Sequence, residues 1–364
     1  MHRRKLSENQ LSKAKDLHRR KLSENQDSYQ TRLNEIKRKF NLRLSNLRQV
    51  LSDLYAQVEH LSPIWTNSIW HNWTTPDSIP PVNQFGGLTK ALGKYSVSMP
   101  ALFPFPNTKP LLVRAPSSAK AQAIAVINSL SLRLLASVPP GKLRFTFIDP
   151  IALGQNIAPF LHLADYDEAL ISAKVWTEKQ HIEQRLVDLT EHTSTVIQKY
   201  LRNQYASIEE FNEQAGEVAE PYRILVIFDF PVNFTEDAAS RLVSIVQNGV
   251  RCGVYTFILN DTNQSLPHNF SIGELEQLMT VIRWEEQRFV WDEPDFKDCV
   301  LELEIPPNDE LFNQLVNQIG QAAVAASKVQ VPFDKVLARS NLTAWWQGST
   351  VDGISMPLGP IGAN

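Results

Sequence analysis

The sequence predicts an α/β protein built on a parallel sheet with helices on both faces. Two observations lead to this prediction. Short apolar strands alternate with helical stretches from residue 110 onward, and the strands at 223–230 and 253–260 are apolar on both faces. Buried parallel strands have this two-sided apolar pattern, and helical crossovers between them produce the alternation.

Amphipathic spacing identifies the helices of this region, and short apolar runs bounded by turn residues identify its strands. Thr235, followed by two acidic residues, predicts a helix start, and Gly249 predicts the end of that helix. In chain order we expect strand 111–114, helix 118–138, strand 143–149, helix 178–204, strand 223–230, helix 236–248, strand 253–260, a hairpin at 281–291, strand 298–306 and helix 308–326.

The composition excludes several classes of protein. The chain has 364 residues, 43% of them hydrophobic and 21% charged, which is typical of globular domains and too apolar for general disorder. No apolar run is long enough for a membrane span, and no apolar core follows the basic start as in a secretory signal. With only Cys252 and Cys299, a disulfide framework or a four-cysteine zinc site is excluded. We therefore expect a cytoplasmic protein without a metal site.

The front of the chain predicts a basic coiled coil that ends at Ser62-Pro63. A seam of this kind buries its apolar side chains against a partner helix, so we expect a homo-oligomer. Nine residues form the seam, spaced by three or four with one irregular step: Leu33, Ile36, Phe40, Leu44, Leu47, Leu51, Leu54, Val58 and Leu61.

Charge is distributed unevenly along the chain. Residues 1–50 contain 14 Lys and Arg against 5 Asp and Glu, a local net charge of +9. The whole chain has a net charge of −3, so the remainder carries −12, and this distribution excludes a nucleic-acid-binding surface that extends over the whole molecule. The basic front could contact the phosphates of double-stranded DNA, or its charges could simply keep an exposed helix in solution. The candidate DNA contacts are Arg19, Arg20, Lys21, Lys37, Arg38 and Lys39.

The turn after the strand at 111–114 lies where a phosphate-binding loop would be expected. Such a loop reads GxxxxGK[ST]: glycines let backbone N–H groups surround the phosphates, Lys neutralises charge and Ser or Thr binds Mg²⁺. Here residues 115–123 read APSSAKAQA, and no glycine occurs between residues 93 and 141. The vestigial nucleotide-binding candidates in this turn are Ser117, Ser118, Lys120 and Gln122.

Two strands of the α/β region end in aspartate. Asp229 ends the apolar strand at 223–230, where a Walker-B aspartate belongs, and Phe230 follows where a catalytic Glu often stands. Asp149 ends the strand at 143–149, and Pro150 after it indicates a loop exit rather than a ligand. No Ser/His/Asp or Cys/His arrangement is indicated, and His181 and His192 lie too far apart on their helix for a metal site. The sequence therefore predicts no catalytic residue.

Four runs of sequence occur in an order found in one group of ATPases. The runs are PLLVRAPSSAKAQAIAVINSLSLRLLASVPPGKLRFTFIDP, PFLHLADYDEAL, RILVIFDFPVNF and NGVRCGVYTFILN. In order and spacing, residues 100–265 resemble the FtsK/SpoIIIE branch of the RecA-like, HerA-type motor ATPases. The likeness is greatest to the degenerate first module of tandem members, since the P-loop glycines, the P-loop Lys and the Glu after Asp229 are missing.

This resemblance implies a RecA-like P-loop fold and a catalytically silent module that gives architecture, ring contacts or regulation to a DNA-translocase-like assembly. No cofactor is then expected, although ATP and Mg²⁺ would bind if the degenerate site still functions. Arg251 matches the arginine of the family's G-R-x-x-G segment and implies a position near a subunit boundary. Two alternatives stay open: an active, atypical ATP-binding translocase that uses Lys120, and a non-enzymatic coiled-coil scaffold.

A short internal echo implies a downstream partner. The tetrapeptide VSMP at 97–100 precedes the degenerate turn, and ISMP recurs at 354–357. We therefore expect an intact ATPase module of the same protein to follow residue 364. The predicted organisation is a coiled coil at 1–62, a Pro- and Trp-rich connector at 63–108, the degenerate ATPase module at 109–265, a small α+β extension at 266–338 and a lead-in at 339–364.

Overall fold

The computed structural model describes residues 2–106, 108–172, 174–215 and 219–327. The chain forms two compact units, one ending at Gln57 and the other beginning at Val58. The predicted lead-in at 339–364, including the ISMP echo, lies outside the described residues. Within the described ranges, no helix combines the length and the apolar character that crossing a membrane requires.

The front of the chain is a single long helix, α1 (His2–Leu61). It ends immediately before Ser62-Pro63, because proline cannot continue the backbone hydrogen-bond pattern of a helix. The predicted front helix is therefore confirmed, whereas its pairing with another helix stays a prediction.

The second unit contains one sheet of nine strands in the order β2-β1-β9-β8-β7-β3-β6-β5-β4. The strands are β1 (Val82–Leu92), β2 (Tyr95–Pro104), β3 (Leu111–Ala115), β4 (Leu143–Ile148), β5 (Tyr222–Phe230), β6 (Val254–Asp261), β7 (Thr280–Glu285), β8 (Arg288–Trp291) and β9 (Val300–Leu303). The helices of this unit are α2 (Lys120–Ser137), α3 (Lys179–Thr195), α4 (Ile208–Ala215), α5 (Glu236–Gly249), α6 (Ile272–Glu276) and α7 (Asp309–Ser327).

The sheet has a parallel part and an antiparallel part. Strands β7, β3, β6, β5 and β4 are parallel neighbours, as the apolar strand pattern predicts. The hairpin β7–β8 continues the sheet through β9 to the hairpin β1–β2, all antiparallel. The segments predicted as connector and extension thus contribute strands to the same sheet as the α/β region. Gly86 permits the close approach of β1 to β9, because a Cβ atom there would collide with the Glu302 carbonyl oxygen.

Helices cover both faces of the sheet, as expected. On one face, apolar side chains of α2 and α7 pack with those of β3, β5 and β6 in a continuous core. On the other face, α3 and α5 pack against the opposite side of the same strands. Trp65 and Trp70 are buried in the first core and Trp73 packs against it, which explains the tryptophans of the connector.

One buried ion pair connects distant parts of this unit. The Arg133 side chain on α2 is 1% exposed and forms a two-pronged ion pair with Glu304, which follows β9. Its guanidinium also donates to Ser62 Oγ at 3.0 Å and to the Pro63 carbonyl at 2.8 Å, and it lies 4.5 Å from the centre of the Trp65 ring. The arginine therefore joins α2, the segment after α1 and the segment before α7.

Replacing Glu304 with alanine tests this connection. The Arg133 charge would remain buried without its partner, so we expect Glu304→Ala to lower the free energy of unfolding by about 3–5 kcal/mol. The matched control is Asp298→Ala, which breaks the exposed Lys90–Asp298 pair, 3.5 Å long. The control should cost at most about 1 kcal/mol in chemical denaturation. Equal losses in the two variants would contradict a structural role for the Arg133 ion pair.

Candidate functional site

Three polar elements meet at the carboxyl ends of the parallel strands. The turn after β3 leads into α2, Asp229 is the second-to-last residue of β5, and Asp261 ends β6. In open α/β sheets, ligands bind in the crevice at this edge, where the strand order reverses. The turn after β3 and Asp229, which we proposed as remnants of a nucleotide site, therefore lie at the edge of the sheet where α/β proteins bind ligands.

The turn after β3 is short. The Ala119 N–H donates to the Pro116 carbonyl at 3.0 Å, and α2 begins at Lys120. The helix therefore begins two residues later than the expected residue 118, and the last four residues of the stretch 115–123 are helical. No residue from 115 to 119 has a positive φ, so successive N–H groups are not directed at one anion in the way that a glycine-rich loop directs them.

The two serines of this turn and Gln122 do not join the polar group at Asp229. Ser117 and Ser118 are exposed, and the Ser117 N–H donates to the Asn263 side-chain oxygen at 3.1 Å. Gln122 is also exposed, in the first turn of α2. Of the residues proposed from this turn, only Lys120 contacts another candidate.

Lys120 forms an ion pair with Asp229. The Asp229 side chain is completely buried, and its backbone has a φ of 57°, in the left-handed region. Among the described residues, neither carboxylate oxygen accepts a hydrogen bond in addition to the Lys120 contact. The lysine ammonium is thus the principal compensation for this buried charge.

Burial raises the pKa of Asp229 above the ordinary aspartate value. The Lys120 ammonium opposes this rise, and the nearby Asp149 and Asp261 carboxylates add to it. Three carboxylates therefore share one edge of the sheet with a single paired lysine. A carboxylate group of this kind would attract a cation, but no cluster of metal-binding side chains is found in the part of the chain that the structure describes.

The other two carboxylates are held by local N–H groups. Asp149 accepts hydrogen bonds from the backbone N–H groups of Ala152 and Gly154 and from the Asn156 side chain, at 3.0–3.2 Å. It therefore orders the loop after β4, in agreement with its interpretation as a loop exit. Asp261, which we did not identify from the sequence, accepts from the Asn263 N–H at 2.9 Å. Its position directly after an apolar strand was the signal that could have revealed it.

The remaining candidates lie elsewhere. Arg251 is exposed in a 3₁₀ turn (Val250–Cys252) before β6, at the amino ends of the parallel strands and so at the opposite edge from Asp229. The six basic candidates for DNA contact are all exposed on α1. One of them, Lys39, forms an ion pair with Glu35 at 2.8 Å.

Comparison with known proteins agrees with this fold. No protein-family model matches the chain, and no curated protein sequence matches it. Among solved structures, the chain is similar to EssC (ATPases 2 and 3) from Geobacillus thermodenitrificans, with 13% identity over 71% of this chain and 51% of that one and a TM-score of 0.53. The match thus spans about half of the EssC structure.

Two further solved structures are similar at lower scores. One is Thermomonospora curvata EccC (ATPases 2 and 3) in complex with a signal sequence peptide, with 12% identity over 68% of this chain and 51% of that one, at a TM-score of 0.48. The other is the pCW3 conjugation coupling protein TcpA with ATPγS, with 11% identity over 68% of this chain and 73% of that one, at a TM-score of 0.45. The EssC likeness agrees with the expected fold, an α/β sheet covered by helices.

Removal of the lysine tests the role of the Lys120–Asp229 pair. In Lys120→Met the buried carboxylate loses its compensating charge, so we expect the free energy of unfolding at pH 7 to fall by about 3–5 kcal/mol. Because the folded-state pKa of Asp229 is raised, the contribution of this residue to stability should be most favourable below the ordinary aspartate pKa and should decrease as the pH rises through the raised value.

The double variant Lys120→Met/Asp229→Asn should recover stability at pH 7 and lose most of this pH dependence, which denaturation curves at several pH values would measure. The control is Lys90→Met, which removes a lysine from an exposed pair. If Lys120→Met behaved like Lys90→Met, the ion pair would not be the compensation for Asp229.

Proposed function

We propose that this chain is a catalytically silent ATPase-like module that contributes architecture or regulation to a DNA-translocase-like assembly, in which an intact module of the same protein hydrolyses ATP. The single observation that supports silence most strongly is the Lys120–Asp229 ion pair. It occupies the edge of the sheet where a nucleotide would need a free cationic group.

Phosphate binding would require a different arrangement of the turn and of Lys120. The ammonium would have to leave a carboxylate that is completely buried, and separating such a pair leaves an uncompensated internal charge. The turn would not compensate for this loss by binding the phosphate, because it has no glycine and no left-handed residue with which to surround an anion.

Hydrolysis would also require groups for Mg²⁺ and for the attacking water. Gln122 takes the place of the Mg²⁺-binding hydroxyl, and Phe230 takes the place of the catalytic Glu and is completely buried in the core against α5. A phenyl ring cannot accept a proton from water or orient it. Phosphate cradle, metal ligand and water activation are therefore lost together, which supports a silent module over an active, atypical ATPase.

We expect the purified chain not to hydrolyse ATP above background in a phosphate-release assay. Each missing stabilising group lowers the rate by roughly 10²–10³. Turnover that is abolished by Asp229→Ala but retained by the control Asp298→Ala would overturn this proposal and favour an ATPase that uses Lys120. Nucleotide binding without turnover, measured by calorimetry, would agree with a silent module that still binds ATP.

The exposed basic residues of α1 support a weak contact with double-stranded DNA as part of this function. Three consecutive residues, Lys37, Arg38 and Lys39, point in different directions on a helix, so we expect only three or four simultaneous phosphate contacts. The logarithm of the affinity should then fall with the logarithm of salt concentration with a slope of about −3 to −4.

Fluorescence anisotropy with duplex DNA at two salt concentrations would measure this slope. Replacing Arg19, Arg20 and Lys21 with glutamine should weaken binding and make the slope less steep, and deleting residues 1–50 should abolish binding. Binding that survives the deletion would assign the DNA contact to the acidic α/β body instead.

A further inference from the structure

Two apolar residues of α1, Leu44 and Val58, are buried, whereas most of the other apolar residues of this helix are exposed. Leu44 is 7% exposed, whereas Ile36 is 65%, Leu47 is 41% and Leu54 is 37% exposed. Val50, which is not part of the predicted seam, is 64% exposed. The predicted seam is therefore not uniformly exposed, and a different row of α1 contains the exposed residues Leu47, Val50 and Leu54.

The exposed row has a regular coiled-coil spacing. Its members follow one another in alternating steps of four and three, without the irregular step of the predicted seam. In heptad notation, residues 40, 47 and 54 take the a positions and residues 36, 43, 50 and 57 take the d positions. The row consists of Ile36, Phe40, Arg43, Leu47, Val50, Leu54 and Gln57.

The polar residue Arg43 decides the orientation of a helix pair. Arg43 is exposed and forms no hydrogen bond or ion pair with any residue that the structure describes. In a parallel pair of identical helices, d residues face each other, so two Arg43 guanidinium groups would meet in the interface. Two like charges in a partly desolvated interface are strongly unfavourable. A parallel pair of this chain is therefore disfavoured.

An antiparallel pair places a carboxylate beside the same arginine. In the register where Leu47 packs on Val50 of the second copy, Arg43 lies level with Leu54 of the second copy. Asp53 precedes Leu54 and takes a g position, which flanks the d side of the interface. The arrangement is symmetric, so it would form two Arg43–Asp53 contacts between the copies. Asp53 also accepts from Gln49 of its own helix at 2.9 Å, which leaves its second oxygen for the arginine.

We propose that a second copy of this chain packs antiparallel on this row of α1, centred between Leu47 and Val50. The two central layers of this dimer each pack Leu47 of one copy on Val50 of the other. The next layer on either side pairs Arg43 of one copy with Leu54 of the other. The self-complementary charges favour a second copy over an unrelated acidic helix. This dimer does not depend on whether the α/β module binds nucleotide, so the two proposals fail separately.

A charge exchange in the full chain tests the proposed contact. Arg43→Glu places a like charge beside Asp53 at two symmetric sites and should raise the dimer dissociation constant about tenfold or more in sedimentation analysis. The double variant Arg43→Glu/Asp53→Arg restores opposite charges and should recover most of that loss. The control Arg38→Glu changes the same charge on the outer face of α1 and should leave dimerisation unchanged.

A distance measurement tests the orientation directly. A spin label on Gln30→Cys should show a separation of roughly 55 Å between copies if they are antiparallel, from the rise of 1.5 Å per residue. In a parallel pair the labels would lie within roughly 20 Å, given interaxial distances of 8–10 Å. Cys252 and Cys299 are buried and should not be labelled. A short distance, a chain that is monomeric at every concentration, or a double variant no better than Arg43→Glu would overturn the proposal.

Discussion

The need to neutralise one buried carboxylate organises the functional edge of this protein. Parallel strands end at a common edge, and β5 ends there in Asp229, whose side chain has no access to water. A charge in that position needs a partner, and Lys120 is the residue that pairs with it at the start of α2. The turn after β3 leads directly into α2 and so places Lys120, the first residue of that helix, beside Asp229. A phosphate bound at this edge would compete with Asp229 for the single positive charge of Lys120.

A second buried charge joins the two parts of the sheet. Arg133 lies on the helix that covers the parallel strands, and Glu304 follows the last antiparallel strand. Their ion pair, with the hydrogen bonds to Ser62 and Pro63, connects segments that are far apart in sequence. The antiparallel hairpins are therefore part of the same packed unit as the α/β core. The buried charges of Asp229 and Arg133 are tolerated because each is paired directly with a residue of opposite charge.

In contrast to these buried ion pairs, the apolar and charged side chains of the front helix are largely exposed. A helix of 60 residues with an exposed apolar row is typically stabilised by a partner. The choice of row depends on which side chains are already covered: Leu44 belongs to the predicted seam but is buried, whereas Val50 is exposed. Shifting the seam by one residue removes its irregular step and brings Arg43 into the interface. The positive charge of Arg43 then favours an antiparallel over a parallel pair of α1 helices.

The sequence alone determined the features that depend on local pattern. Apolar periodicity predicted α1, the parallel strands and the helices on both faces, and the missing glycines predicted a turn unsuited to phosphate. Tertiary structure decided what depends on pairing between distant residues. The Lys120–Asp229 pair joins positions that no spacing rule relates, and Arg133 and Glu304 are 171 residues apart in the sequence. The hairpins joined the same sheet because strand pairing is set by register across the fold, which a linear pattern does not contain.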